Sequence, residues 1–192
     1  MARPVINKAF AVGLLWAALL SAGVVLFTET APHAAGRAIV HAEPYRIEMF
    51  SWVSTGDAPE NDPRLFVPQH LLHTGAFLVL TLASGGYLGL ALGALLVDYM
   101  SYFVGSFAAS SGRAVAGAFL AWVPWSVVRV ASFVALGAVL SRPLLSRRWR
   151  FGEPEWRWIA LAIAGLLLDI AIKTMLAPTY GLFLRRFLLA AG

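Results

Sequence analysis

Residues 71–111 constrain this chain more than any other stretch, because their 41 residues include one formal charge, Asp98. A single helix of that length would measure about 60 Å, roughly twice the hydrocarbon thickness of a bilayer. The stretch therefore needs a break, and residues 84–86 (SGG) are the best candidate because adjacent glycines favour a turn. The pattern predicts a tight hairpin of two helices, over residues 67–83 and 87–108.

Composition places the chain in a bilayer. It is 59% hydrophobic and 13% charged, with a mean hydropathy of +0.73, whereas soluble domains carry about 25% charged residues. The excess of 15 Lys and Arg over 10 Asp and Glu lies mostly at the ends of apolar runs. Basic residues there meet lipid headgroups, so we expect no nucleic-acid partner. Because no cysteine is present, disulfides and thiolate metal sites are excluded.

Three further apolar stretches predict membrane spans, at residues 9–28, 114–140 and 158–177. Each is long enough to cross a hydrocarbon core of about 30 Å. The first stretch also suits the apolar region of a signal peptide, but we expect it to be a retained span. Pro178 and Gly181 are predicted to end the last span.

The Arg-rich connection at residues 141–157 sets the predicted topology, since basic loops favour the cytoplasm. With the N-terminus also cytoplasmic, an even number of spans must precede this connection. That parity favours the break at residues 84–86 over the alternative, a single span at 71–97 with an interfacial segment after it. The predicted fold class is all-α: an integral membrane helical bundle of about five transmembrane helices in one domain, 1–192, with an extracytoplasmic loop or cap at 29–66.

Four charges lie inside the predicted spans: Asp98, Arg129, Asp169 and Lys173. Intramembrane charges are rare and are functional candidates by default. We expect Asp98 to pair with Arg129 between helices, and Asp169 to pair with Lys173 four residues along one helix face. The functional interpretation is a proton or ion pathway. The structural interpretation is two neutralised bridges that fix helix register.

Glycines recur every fourth residue at Gly85, Gly89 and Gly93. On a helix this spacing leaves a bare stripe where a second helix can approach closely. The stripe predicts helix packing, either within this chain or against another membrane subunit.

His70 and His73 lie three residues apart at the start of a predicted span and share one helix face. They are a weak candidate for a metal site with His33, His41 or loop carboxylates. The sequence contains no HExxH, GxSxG, P-loop or GxGxxG motif. We therefore expect no catalytic residues, no cofactor and no metal.

In the centre of the chain, an uncharged hairpin leads to residues 102–105 (YFVG), a short polar stretch at 110–113 (SSGR) and a proline within a span at 119–124 (FLAWVP). Over residues 87–133 this order resembles the core of the bacterial Yip1-like membrane proteins. The resemblance implies a non-enzymatic, partner-binding protein of the bacterial inner membrane.

These observations predict a non-catalytic scaffold or accessory subunit of a larger membrane complex. Its partners would be the lipid bilayer and other membrane-protein subunits. The alternative is a small transporter, or a proton- or ion-conducting subunit, that uses the four intramembrane charges.

Overall fold

A computed structural model of the chain describes residues 2–39, 42–56, 59–141 and 151–190. These ranges are almost entirely helical and contain no strand, which confirms the all-α prediction. One short 3₁₀ helix, η1, spans Pro59–Asn61. The α-helices are α1 (Ala2–Thr30), α2 (Pro32–Ala38), α3 (Ala42–Thr55), α4 (Pro63–Ser84), α5 (Tyr87–Ser110), α6 (Ala114–Ala121), α7 (Pro124–Leu140) and α8 (Glu153–Leu189).

The chain turns between α4 and α5 at the predicted break. Gly85 and Gly86 have φ angles of 66° and 102°, in the left-handed region that glycine adopts without a Cβ clash. Both of their amides donate to the Thr81 carbonyl at the end of α4. The helical hairpin is confirmed, and the alternative of one helix over residues 71–97 is wrong.

The stretch predicted as a single span at 114–140 is broken in the structure. Helix α6 ends at Ala121, α7 begins at Pro124, and the two helices are bent by 64° relative to each other. The residue before a proline is disfavoured in the helical region, and Val123 is extended, with φ −65° and ψ 137°. Pro124 therefore starts a new helix and does not lie inside an existing one.

The prediction that the last helix ends at Pro178 is wrong, because α8 continues through Pro178 and Gly181 to Leu189. A proline removes one hydrogen bond from a helix, and neighbouring helices compensate for that loss in transmembrane bundles. Gly181 serves a packing role: an added Cβ would come within 3.1 Å of the Trp52 ring.

The described residues of the predicted loop or cap at 29–66 are mostly helical. On α3, Met49 and Trp52 are buried against the bundle, and the Trp52 indole donates to Asn61 Oδ1 at 3.0 Å. The side chain of Asp62 caps the first turn of α4 by accepting from the Arg64 amide at 2.9 Å. Helix α3 and η1 thus form a lid that packs on the bundle, hereafter the cap.

Four of the described helices are long and apolar enough to cross a membrane, namely α1 from Val5 onward, α4, α5 and α8, and the bent pair α6–α7 passes the same test together. Large apolar side chains are exposed on these helices; Leu72 is 70% and Phe119 is 81% accessible. Such a surface is typical of a protein that contacts lipid. Residues 142–150 of the Arg-rich connection lie outside the described residues, so the sidedness of the bundle stays a prediction.

Candidate functional site

A cavity of about 1150 Å³ lies between α1, α4, α5 and α7, beneath the cap. Its lining starts at Glu60 in η1 and reaches Gly86, beyond the far end of α4. The 22 residues of α4 rise about 33 Å, close to the thickness of a hydrocarbon core. The cavity lining therefore extends over most of that thickness, and it follows the predicted membrane-crossing direction.

Most of the cavity wall is apolar. The rings of Phe77 and Phe133 stack with their centroids 4.8 Å apart on one side. Helix α1 lines the cavity with small residues, among them Gly13 and Ala17, and with large apolar residues such as Trp16 and Phe27. A wall of this kind favours an apolar chain over a hydrated ion.

The charged side chains of the lining, Glu48, Glu60 and Arg129, gather at the cap end. Arg129 lines the cavity and forms a bidentate ion pair with Asp169 on α8, with N–O distances of 2.8 and 2.9 Å. Asp169 is 1% accessible, and the Nε2 atom of His70 lies 3.7 Å from its Oδ2 atom. A two-bond fork of this kind fixes the relative orientation of α7 and α8.

A second buried ion pair joins the cap to the bundle. The Lys173 ammonium lies 2.8 Å from the Glu60 carboxylate and 4.4 Å from the centroid of the Phe66 ring. Lys173 is 1% accessible, so the pair and the ring contact together replace its hydration. Glu60 of η1 is thereby tied to α8.

The predicted pairing of the four intramembrane charges is therefore wrong. Asp169 and Lys173 do not pair with each other; each pairs with a residue on another element. Arg129 pairs with Asp169 and not with Asp98. The Oδ1 atom of Asp98 is buried and has no hydrogen-bond partner among the described residues, and Asp98 does not line the cavity. The structure thus gathers three of the four charges and leaves Asp98 apart.

The glycine stripe is divided between two elements. Gly85 caps the end of α4 and belongs to no helix face. Gly89 lies on α5 against α4, where an added Cβ would come within 1.9 Å of Thr81 Oγ1. Gly93 also lies on α5, and its added Cβ would lie 3.7 Å from the Phe77 ring of α4. Two of the three glycines thus pack α5 on α4. A closer backbone approach is at Gly105, whose added Cβ would lie 2.9 Å from the Val25 carbonyl of α1.

His70 and His73 both line the cavity. His70 is 8% accessible, and neither of its ring nitrogens has a hydrogen-bond partner within the described ranges. The same ranges hold no group of three or more His, Cys, Asp or Glu side chains placed to bind a metal ion. His41 lies outside the described residues. The metal candidate therefore gains no support.

The sequence reasoning missed the cap residues of the site, Tyr45, Glu48 and Glu60. Burial raises the pKa of Glu48, and the nearby Glu60 carboxylate raises it further, while Lys173 opposes both effects. Glu48 forms no ion pair with another described residue. An acidic, proline-containing segment was the only sequence signal, and it does not reveal which acids turn inward.

No family model, curated protein or solved structure matches this chain. These comparisons neither support nor refute the resemblance of residues 87–133 to the bacterial Yip1-like proteins, which stays a prediction. The features that bear on function are therefore the cavity and its charged end.

Proposed function

We propose that this chain is a small membrane transporter or carrier that receives an amphiphilic solute between its helices. The observation that carries this proposal is the cavity of about 1150 Å³, apolar along α1 and polar beneath the cap. Ligand sites are commonly concave and mostly apolar with a few polar groups that orient the ligand. The chain of an amphiphile would lie along the apolar wall, and its headgroup would lie at the polar end. The proposal involves no catalytic step.

The paired charges support a positioning role in this function. Arg129 and Asp169 hold α7 on α8, and Glu60 and Lys173 hold the cap on α8. Both pairs lie next to the polar end of the cavity, so they keep that end in shape while the apolar wall remains open to a chain. This arrangement favours a transporter over a continuous proton path, because Asp98 lies apart from the other charges.

A scaffold or accessory subunit remains the other proposal for this chain. Its main sequence argument was the glycine stripe, and Gly89 is packed against Thr81 of α4 while Gly93 lines the cavity. The stripe therefore offers less surface to another subunit than the sequence suggested. The observed cavity favours the transporter proposal.

The cavity is tested by measuring how a brominated chain quenches tryptophan fluorescence, because Trp16, Trp122 and Trp125 line it. The purified protein is titrated with 12-bromododecanol, whose headgroup is uncharged, in nanodiscs of digalactosyldiacylglycerol, an uncharged lipid without an ammonium group. We expect a saturable component of quenching beyond the linear part caused by partition into the bilayer.

Two glycine variants form a matched pair for this experiment. Gly93 lines the cavity, and its added Cβ would meet only Phe77, at an ordinary 3.7 Å; Gly75 does not line the cavity and has no atom within 4 Å. We expect Gly93→Leu to weaken saturable quenching by about tenfold or more by filling the cavity, and Gly75→Leu to leave it unchanged. Equal saturable quenching in both variants, or none in the wild type, would overturn the proposal.

A further inference from the structure

Among the described residues, the cap end of the cavity carries one more carboxylate than it has basic partners. This excess negative charge bears on the ligand class of the proposed function, and the inference drawn from it rests on that function. Three carboxylates, of Glu48, Glu60 and Asp169, lie at or directly behind this end of the wall, together with two basic groups, of Arg129 and Lys173. Each basic group is already paired with a carboxylate. Glu48 has no ion-pair partner in the part of the chain that the structure describes, and it lines the cavity.

Aromatic rings accompany Glu48 at the same end. Tyr45 and Tyr99 stack with their centroids 6.1 Å apart, and both line the cavity. Trp122 and Trp125 line it from the break between α6 and α7. The faces of such rings attract cations, and a carboxylate beside aromatic rings is a favourable setting for an ammonium group. Glu48 supplies the negative charge, and the ring faces supply apolar surface for alkyl groups on the ammonium nitrogen.

We infer that the cavity takes an amphiphile with an ammonium headgroup, which binds Glu48 and the rings of Tyr45, Tyr99 and Trp122, while its apolar chain extends along α1 and α5. An anionic headgroup would meet the unpaired Glu48 carboxylate at this end. It would also have to compete with Asp169 for Arg129 and with Glu60 for Lys173.

The ammonium headgroup makes binding depend on pH in a defined direction. Burial and Glu60 raise the pKa of Glu48, so Glu48 binds a proton more readily than an exposed glutamate does. A cation favours the ionised carboxylate, and affinity therefore rises with pH until Glu48 is fully ionised. The other charged or titratable groups that line or border this end are Tyr45, Glu60, His70, His73, Tyr99, Arg129, Asp169 and Lys173.

The test compares three 12-bromododecyl compounds that differ only in headgroup: the trimethylammonium, the alcohol and the carboxylate. Saturable quenching is measured for the wild type, Glu48→Gln and Asp98→Asn in nanodiscs of digalactosyldiacylglycerol, an uncharged lipid without an ammonium group that could compete for the site. We expect the wild type to bind the ammonium compound about tenfold more tightly than the alcohol. Glu48→Gln should remove that preference, and Asp98→Asn should retain it, because Asp98 does not line the cavity.

The outcomes separate this inference from the proposed function. If the alcohol binds saturably but the carboxylate binds as tightly as the ammonium compound, the inference fails and the proposed function stands. A preference for ammonium that survives in Glu48→Gln also contradicts the inference. If none of the three compounds gives saturable quenching, the proposed function fails as well.

The ammonium group can belong to a membrane lipid or to a soluble long-chain amine. Native mass spectrometry of protein purified without added ligand distinguishes these sources. An amine-headed lipid that remains on the wild type and is lost from Gly93→Leu supports the lipid source. A ligand-free wild type that binds the added ammonium compound supports the soluble amine. A retained lipid with a purely anionic headgroup, lost from Gly93→Leu, contradicts the inference.

Discussion

The two sides of the cap end differ in how their charges are satisfied. On the α8 side, Asp169 and Lys173 are each 1% accessible, and both are paired across elements. On the α3 side, Glu48 lines the cavity without an ion-pair partner among the described residues. The paired side couples α7, α8 and η1 to one another, whereas the unpaired side leaves a charge free for a ligand. The comparison teaches that buried charges in one bundle can divide between holding the fold and receiving a solute.

The largest expected effect comes from breaking the paired side at Lys173. Lys173→Met leaves the Glu60 carboxylate buried without its partner, and removing one member of a buried pair typically costs about 3–5 kcal/mol. We expect that loss in the free energy of unfolding, measured by denaturant titration in detergent micelles. The double variant with Glu60→Gln should recover a substantial part of it, because no buried charge is then left alone. No recovery would mean that Lys173 stabilises the fold by a route other than Glu60.

A smaller effect is expected at Arg129, where charge and geometry can be separated. Arg129→Lys keeps the positive charge but loses the planar fork that binds both oxygens of Asp169. One lost hydrogen bond to a charged group corresponds to about 1.5–3 kcal/mol of unfolding free energy. The same denaturant titration checks this value. A stability equal to that of the wild type would show that the bidentate geometry contributes nothing beyond the charge.

The smallest effect on stability is expected within α3 itself, where the paired Glu43 can be compared with Glu48. Hydrogen bonds from Arg46 hold the pKa of Glu43 below its ordinary value of 4.5, although burial opposes them. Stability from this pair is therefore present above pH 4.5 and is lost as the pH falls through the folded-state pKa.

This pH dependence is measured by thermal unfolding of the wild type and of Glu43→Gln between pH 3 and 7. The wild type should exceed the variant by about 0.3–0.5 kcal/mol at neutral pH, as exposed helix pairs do. The two proteins should converge at the acidic end. A difference that stays constant with pH would exclude the carboxylate as its source.

Much of the fold could be predicted from the sequence, because apolar length and paired glycines act locally. The turn at Gly85 and Gly86 needs only its own two residues to be recognised. The two prolines behave differently for reasons outside their local sequence. Pro124 begins α7 after an extended Val123, whereas Pro178 is tolerated inside α8. Sequence spacing alone does not distinguish these cases, since tertiary contacts decide whether a proline ends a helix.

The candidate site was predicted only in part. The burial of Asp169 and Lys173 follows from their place in an apolar stretch, but their spacing of four residues suits a pair on one helix as well as two separate pairs. The choice depends on Glu60, which reaches α8 only because the cap folds back onto the bundle. Glu48 likewise reaches the cavity only because the cap folds back onto the bundle. Contacts from a separate segment are set by the whole fold and leave no local pattern in the sequence.

The central claim, that the cavity holds an amphiphile, is tested most directly by thiol protection, because the chain contains no cysteine of its own. Ala94 lines the cavity, whereas Leu88 is 51% accessible and does not line it. Single Ala94→Cys and Leu88→Cys variants in nanodiscs are allowed to react with N-ethylmaleimide, with and without dodecyltrimethylammonium. We predict that the amphiphile slows the reaction at residue 94 by about tenfold and leaves residue 88 unchanged. Equal rates at residue 94 with and without the amphiphile would contradict the account.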